Sequence, residues 1–188
     1  MRTLHDGSAV AARRAAALVD AVEAGGRRDL APAIVEVLES FGERDVRLGP
    51  DEVDGIVAMC GRLRAVFVAA DRDAAAAMLN ELLARYAAAP RLVRHEGWDW
   101  HVHVDRADDA PWDEWLASSA ALALATLLTG SPGLPWGECA SAGCRRVYVH
   151  DGRGDPRRYC SATCATRERV RRHRAATNPA GSPETSSR

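Results

Sequence analysis

Cys139-Ala-Ser-Ala-Gly-Cys144, followed after fifteen intervening residues by Cys160-Ser-Ala-Thr-Cys164, is the stretch that decides how this 188-residue chain is built. Two short-spaced thiol pairs of this kind close a tetrahedral, four-thiolate zinc site. Between the pairs, residues 145–150 alternate as a strand, Asp151-Gly-Arg-Gly-Asp-Pro156 carries turn chemistry, and residues 157–160 return as the second strand of a hairpin. Ser161 then stands as N-cap of a helix that holds Cys164 in its first turn. Knuckle, hairpin and helix in that order describe a treble-clef-like finger, too poor in apolar residues to fold without metal. Disulfides and an iron–sulfur cluster are the competing uses of such thiols. Five cysteines leave an odd one and no secretion signal precedes them, which favours zinc in a reducing compartment. The leftover Cys60 lies amid Ile56, Val57, Met59 and Leu63 and reads as a packed helix residue.

The same stretch carries the positive charge. Residues 1–138 hold 14 Arg against 22 Asp plus Glu, a balance of −8, whereas residues 139–174 hold 10 Arg against three acids, a balance of +7. The formal charge of −1 for the whole chain conceals this segregation of a basic end from an acidic body. The chain has no lysine, so part of its arginine content reflects coding bias, but a bias in composition does not explain the segregation. Hydrophobic content of 47% with 27% charged residues belongs to a soluble globular protein, and no apolar run approaches the roughly 20 residues of a membrane helix. A cytoplasmic location is expected.

Working upstream, Ser8 is placed to cap a first helix reaching Gly25-Gly26, and Asp29 with Pro32 starts a second that Gly42 ends. Pro50 and Asp51 open a third, and Asp71 or Asp73 a fourth that Pro90 stops. Then the period changes. Trp98, Trp100, Val102 and Val104 alternate with Asp99, His101, His103 and Asp105, and with Leu92 and Val93 they suggest a hairpin with one apolar face. Asp109 and Pro111 begin a helix whose stripe of Trp112, Trp115, Leu116, Ser119, Leu122, Ala123, Thr126 and Leu127 is expected to cover that face. The expected fold class is α+β. A mostly helical N-terminal domain with a β-hairpin occupies residues 1–130, a linker 131–138, the finger 139–176 and a disordered tail 177–188.

The string Cys139-x4-Cys144, Val147-Tyr148-Val149, Arg157-Arg158-Tyr159-Cys160-Ser161 and Cys164-Ala-Thr-Arg167, followed by Val170-Arg-Arg-His-Arg174, resembles a CGNR zinc finger. In this chain Cys164 and Arg167 match the first and last positions of the family's Cys-Gly-Asn-Arg string, and Ala165 and Thr166 depart from it. The upstream body, with His101-Val-His-Val-Asp105 and the helix that leads into the finger, is similar to the ABATE domain that accompanies such fingers. The resemblance implies a bacterial, stress-induced transcription regulator.

Four thiolates leave zinc no open position for water, so the site is expected to be structural and the protein not an enzyme. On the last helix Arg167, Arg171 and Arg174 share a face, with Arg169 and Arg172 beside it and a Thr166, Val170 and His173 stripe left for packing. Arg157 and Arg158 extend this basic surface across the hairpin, and guanidinium groups suit phosphate, which makes DNA the first partner. RNA or an acidic protein is the rival partner, and some of these arginines have the simpler use of neutralising a site of net charge −2. A single finger has a small footprint, so a homodimer formed through the N-terminal domain is a further expectation. His150 is expected to be solvated and His173 to have a packing or phosphate-side role. Two readings compete in the N-terminal domain. Asp99, His101, His103 and Asp105 are either a second metal or enzymatic site or a solvent-facing strand surface, and Trp98, Trp100, Trp112 and Trp115 either line a small-molecule pocket or form core.

Overall fold

The computed structural model describes residues 4–25, 30–94, 100–150 and 157–177. Asp29, Trp98, Asp99, the turn 151–156 and all of the expected tail after Thr177 lie outside them. The fold is α+β, with helices α1 (Leu4–Ala24), α2 (Leu30–Ser40), α3 (Pro50–Phe67) and α4 (Arg72–Tyr86), then strands β1 (Arg91–Val93) and β2 (His101–His103). Helix α5 (Trp112–Thr129), strands β3 (Trp136–Glu138) and β4 (Val147–Val149), and helix α6 (Ala162–Thr177) complete it. No helix among the described residues is long and apolar enough to cross a membrane.

Helix starts follow local chemistry where a cap is present. Asp71 Oδ1 accepts the Ala74 N–H at 2.8 Å, and Glu52 accepts the Gly49 N–H at 2.8 Å ahead of Pro50, so α4 and α3 begin where the sequence places them. Ser8 is not a cap. Helix α1 begins at Leu4 and carries Ser8 within its second turn.

Helix α5 is the centre of the molecule. It packs against α1, α3 and α4, and buries Leu116, Ala117, Ala120, Ala121, Ala123, Leu124, Leu127 and Leu128 on several sides at once. A helix apolar nearly all round belongs inside a bundle, and this one does not serve as a lid on the β1–β2 hairpin. That hairpin pairs Leu92 with Val102 and turns the expected faces over. Leu92, Trp100 and Val102 face solvent, while Val104 and Asp105 are buried and His101 and His103 are half-buried. The inversion holds because Arg91 bonds both Asp105 and Asp108, which meets the cost of burying the Asp105 carboxylate.

The finger hairpin differs from its expected form in the same region as the linker. Strand β4 pairs antiparallel with β3, Trp136 opposite Val149, so its partner comes from the segment read as linker and not from residues 157–160. Arg158 instead gives its carbonyl to the Ala140 N–H at 2.8 Å, so the returning chain meets the knuckle. Residues 131–135 are held too, through the Arg72 guanidinium on the Ser131 carbonyl.

The β3–β4 hairpin sits on the bundle. Trp136, Val147 and Val149 are buried in the same core as Phe67 and Leu63. The Trp136 indole N–H donates to the Val66 carbonyl at 3.0 Å, a second donor beside the Ala69 N–H at 3.3 Å, at the end of α3, and its ring meets Phe67 edge-on at 6.3 Å. From α1, Asp20 accepts the Val147 N–H at 2.8 Å. Arg64 of α3 donates to the Arg145 carbonyl at 3.0 Å and pairs with Glu138 at 2.5 Å. Across the bundle, buried Arg14 joins Glu43 and Ser119 at 2.9 and 3.0 Å and lies over the Trp115 ring.

Candidate metal centre

Four elements deliver one cysteine cluster. Cys139 follows β3 and donates its N–H to the Arg146 carbonyl, and Cys144 closes the knuckle by donating to the Ser141 carbonyl at 2.9 Å, with Gly143 at φ +74° supplying the left-handed turn. Cys160 ends the returning chain. Cys164 sits in the first turn of α6, where Ser161 Oγ accepts its N–H at 3.2 Å, the cap expected from the sequence. All four sulfurs lie within 4.8 Å of one another, with Cys144–Cys160 at 3.8 Å and Cys160–Cys164 at 3.7 Å. A tetrahedron with zinc–sulfur bonds of ~2.3 Å has edges of about 3.8 Å. The donor set and its spacing therefore fit zinc.

Two of the thiols are also arranged for deprotonation. The Ser161 hydroxyl, then Cys160, lowers Cys164 to about 6, and a backbone N–H of Arg146 lowers Cys144, while burial pushes Cys160 up to about 12. Arg146 is stabilised as a cation chiefly by Cys144, so this arginine faces the sulfur cluster. It is one of the arginines with an internal use. Burial pushes Cys60 up to about 12 within α3, consistent with an inert core thiol.

Glu168 belongs to no motif in the sequence, and it completes the site. It is 3% exposed, accepts the Ala142 N–H at 2.8 Å and faces Ser141 Oγ at 3.3 Å, so it ties α6 to the knuckle between the first two cysteines. The Ala142 N–H first, then Arg171, holds its carboxyl below the ordinary range. The signal that could have found it is a lone acid among arginines, one helical turn after Cys164 and hence on the same inward face.

The arginines of α6 divide accordingly. Arg171 Nε bonds Glu168 Oε2 at 2.7 Å, so part of this guanidinium is already engaged. Arg167, Arg169, Arg172 and Arg174 are exposed, as are Arg157 and Arg158. The Thr166, Val170 and His173 stripe expected to pack is exposed at all three residues, Val170 at 42%. Helix α6 is anchored by Cys164 and Glu168 alone among its buried residues, because its length after Glu168 reaches away from the rest of the fold. His150 is half-buried and outside the cluster.

In the N-terminal half the structure separates the tryptophans. Trp112 and Trp115 meet edge-on at 5.6 Å and pack against the core, whereas Trp100 is exposed with Arg94 over its ring. Asp105, expected beside His101 and His103, does approach them: its Oδ2 lies 3.0 Å from His103 Nδ1.

Residues 136–176 match the CGNR zinc finger family. The match opens at Trp136, the first residue of β3, so the unit recognised by the family and the unit closed by the β3–β4 pairing start together. No curated protein matches the chain.

Proposed function

We propose that this chain is a zinc-dependent DNA-binding transcriptional regulator, in which the four cysteines hold zinc as a scaffold and α6 is the contact element. The observation that carries the reading is α6 itself. From Arg169 to Thr177 it is exposed on every side, and the helix bears five arginines against one buried glutamate. A helix with no apolar face in contact gains nothing from tertiary packing, so its retention as a basic rod makes sense as a surface for a polyanion.

Zinc in this role is structural. Cys139, Cys144, Cys160 and Cys164 fill a tetrahedral coordination sphere, which gives the ion no position for a substrate, and the reading is accordingly not that of an enzyme. Arg167, Arg172 and Arg174 are the leading phosphate contacts, with Arg169, Arg157 and Arg158 flanking them. Arg171 acts partly through Glu168. The helical bundle takes the ABATE-like part, sensing a signal or joining two copies.

The test is a salt series of fluorescence anisotropy on duplex DNA, single-stranded RNA and heparin. Duplex preference with a slope of log affinity on log salt of about −0.9 for each phosphate neutralised supports the reading. Equal binding to all three polyanions would assign α6 to general anion binding instead.

A further inference from the structure

Strand β2 places His101 and His103 two residues apart on one face. Their Nε2 atoms share a hydrogen bond at 2.9 Å, one donating and the other accepting, with ring centroids separated by 4.8 Å, so an ion held between them would displace the shared proton. Behind His103, Nδ1 lies 3.0 Å from Oδ2 of Asp105, whose side chain is only 4% exposed. A carboxylate at that distance from Nδ1 sets the ring with Nε2 on its opposite side, here toward His101. Carboxylate, imidazole and metal in that sequence is how metal-bound histidines are usually oriented.

We propose that His101 and His103 form a second metal site, separate from the finger, in which their Nε2 atoms chelate one exchangeable divalent transition-metal ion and Asp105 orients His103. The spacing is compatible with chelation of one ion. Two metal–nitrogen bonds of ~2.1 Å meeting at a right angle put the nitrogens about 3.0 Å apart, and a tetrahedral angle puts them about 3.4 Å apart. The observed 2.9 Å matches neighbouring positions of a tetragonal ion such as Ni²⁺ or Cu²⁺ more closely than tetrahedral zinc.

Charge and access agree with this assignment. Arg91 bonds Asp105 and Asp108 together, so the three groups leave one net negative charge next to the imidazoles. The donors of His103, Asp105 and Asp108 converge within 4.8 Å, but the guanidinium already occupies the two carboxylates, which therefore orient and do not ligate. Both imidazoles are half-buried, so solvent reaches them.

The experiment is calorimetric titration of Ni²⁺ into the full chain with its finger loaded with zinc, alongside His101→Ala, His103→Ala and Asp105→Asn. One equivalent of Ni²⁺ is expected to bind the unaltered chain, with finger zinc retained. Either histidine variant should abolish that binding, and Asp105→Asn should weaken it about 10- to 100-fold. Imidazole ¹⁵N spectra of the unaltered chain require no variant and should move at Nε2 of both rings. No bound equivalent, equal binding by His101→Ala, or a shift confined to Nδ1 would each overturn the site.

Discussion

The two ends of the finger obey opposite rules. The β3–β4 hairpin has short strands, a tryptophan and two valines, and buries them in a core belonging to another part of the chain. Helix α6 has sixteen residues and buries two of them, Cys164 and Glu168. One end is stabilised by apolar contact and the other by coordination and a single carboxylate. Stability and presentation are thus assigned to different ends of the same 41-residue match, and with zinc in place, side-chain changes at one end should leave the other's property alone.

Removing zinc is the most severe way to break that contrast. Structural zinc sites contribute about 10–16 kcal/mol, comparable with the whole stability of a domain. Chelation, or Cys164→Ser, should therefore melt α6 and the knuckle, seen as reduced helical ellipticity and fast amide exchange after Ser161. Because the hairpin shares its core with α1 and α3, the bundle should also melt at a lower temperature. A bundle whose melting is indifferent to chelation would show that β3 and β4 stay seated without metal.

Trp136→Ala separates the ends next. Truncating a buried tryptophan costs about 3–5 kcal/mol, and here it also leaves the Val66 carbonyl without its indole donor. Thermal unfolding should fall by on the order of 10 °C, while zinc stoichiometry and DNA affinity at low temperature stay near those of the unaltered chain. Loss of zinc in this variant would mean that the seat also shapes the sulfur cluster.

Arg172→Ala with Arg174→Ala is the reverse experiment. It should flatten the salt slope by roughly 0.9 for each phosphate that the variant no longer neutralises, and leave the melting temperature within about 1 °C, because both side chains are exposed. Unchanged DNA affinity would move the binding surface to Arg157 and Arg158.

A smaller effect belongs to pH. Glu168 is held below its ordinary range in the folded state, so its contribution is complete above the ordinary glutamate value and is lost as pH falls through the lowered one. Glu168→Gln should remove this acid-side dependence while keeping the zinc. It shows as a smaller gap between melting temperatures measured near neutrality and in mild acid. An identical gap in both proteins would exclude Glu168 as the brace.

Much of the site was legible because coordination chemistry is local. The spacing of Cys139, Cys144, Cys160 and Cys164, the Ser161 cap and the exposed arginines all follow from residues close in sequence. What escaped were long-range partners. Trp136 and Val66 are 70 residues apart, and no periodicity marks Trp136-Gly-Glu138 as a strand after the Gly- and Pro-rich Ser131-Pro-Gly-Leu-Pro135. The β1–β2 hairpin turned over for a related reason: alternation gives two faces, and which one is buried depends on Arg91 reaching Asp105 and Asp108. Apolar content also favoured a lid role for α5, whereas burial on several sides signals a central helix.

The seat under Trp136 has a consequence for synthesis. The chain emerges from its N-terminus, so α1, α3 and α5 are complete before β3 and β4 exist. Until residue 149 has been made, the surface that will receive Trp136, Val147 and Val149 is open and apolar, and the nascent bundle lacks its last core residues. The bundle therefore finishes folding only after the first two zinc ligands have left the ribosome. A nascent chain stalled with Trp136 still inside the ribosome should display a product that proteases cut and chaperones retain, and one stalled with His150 outside it should not.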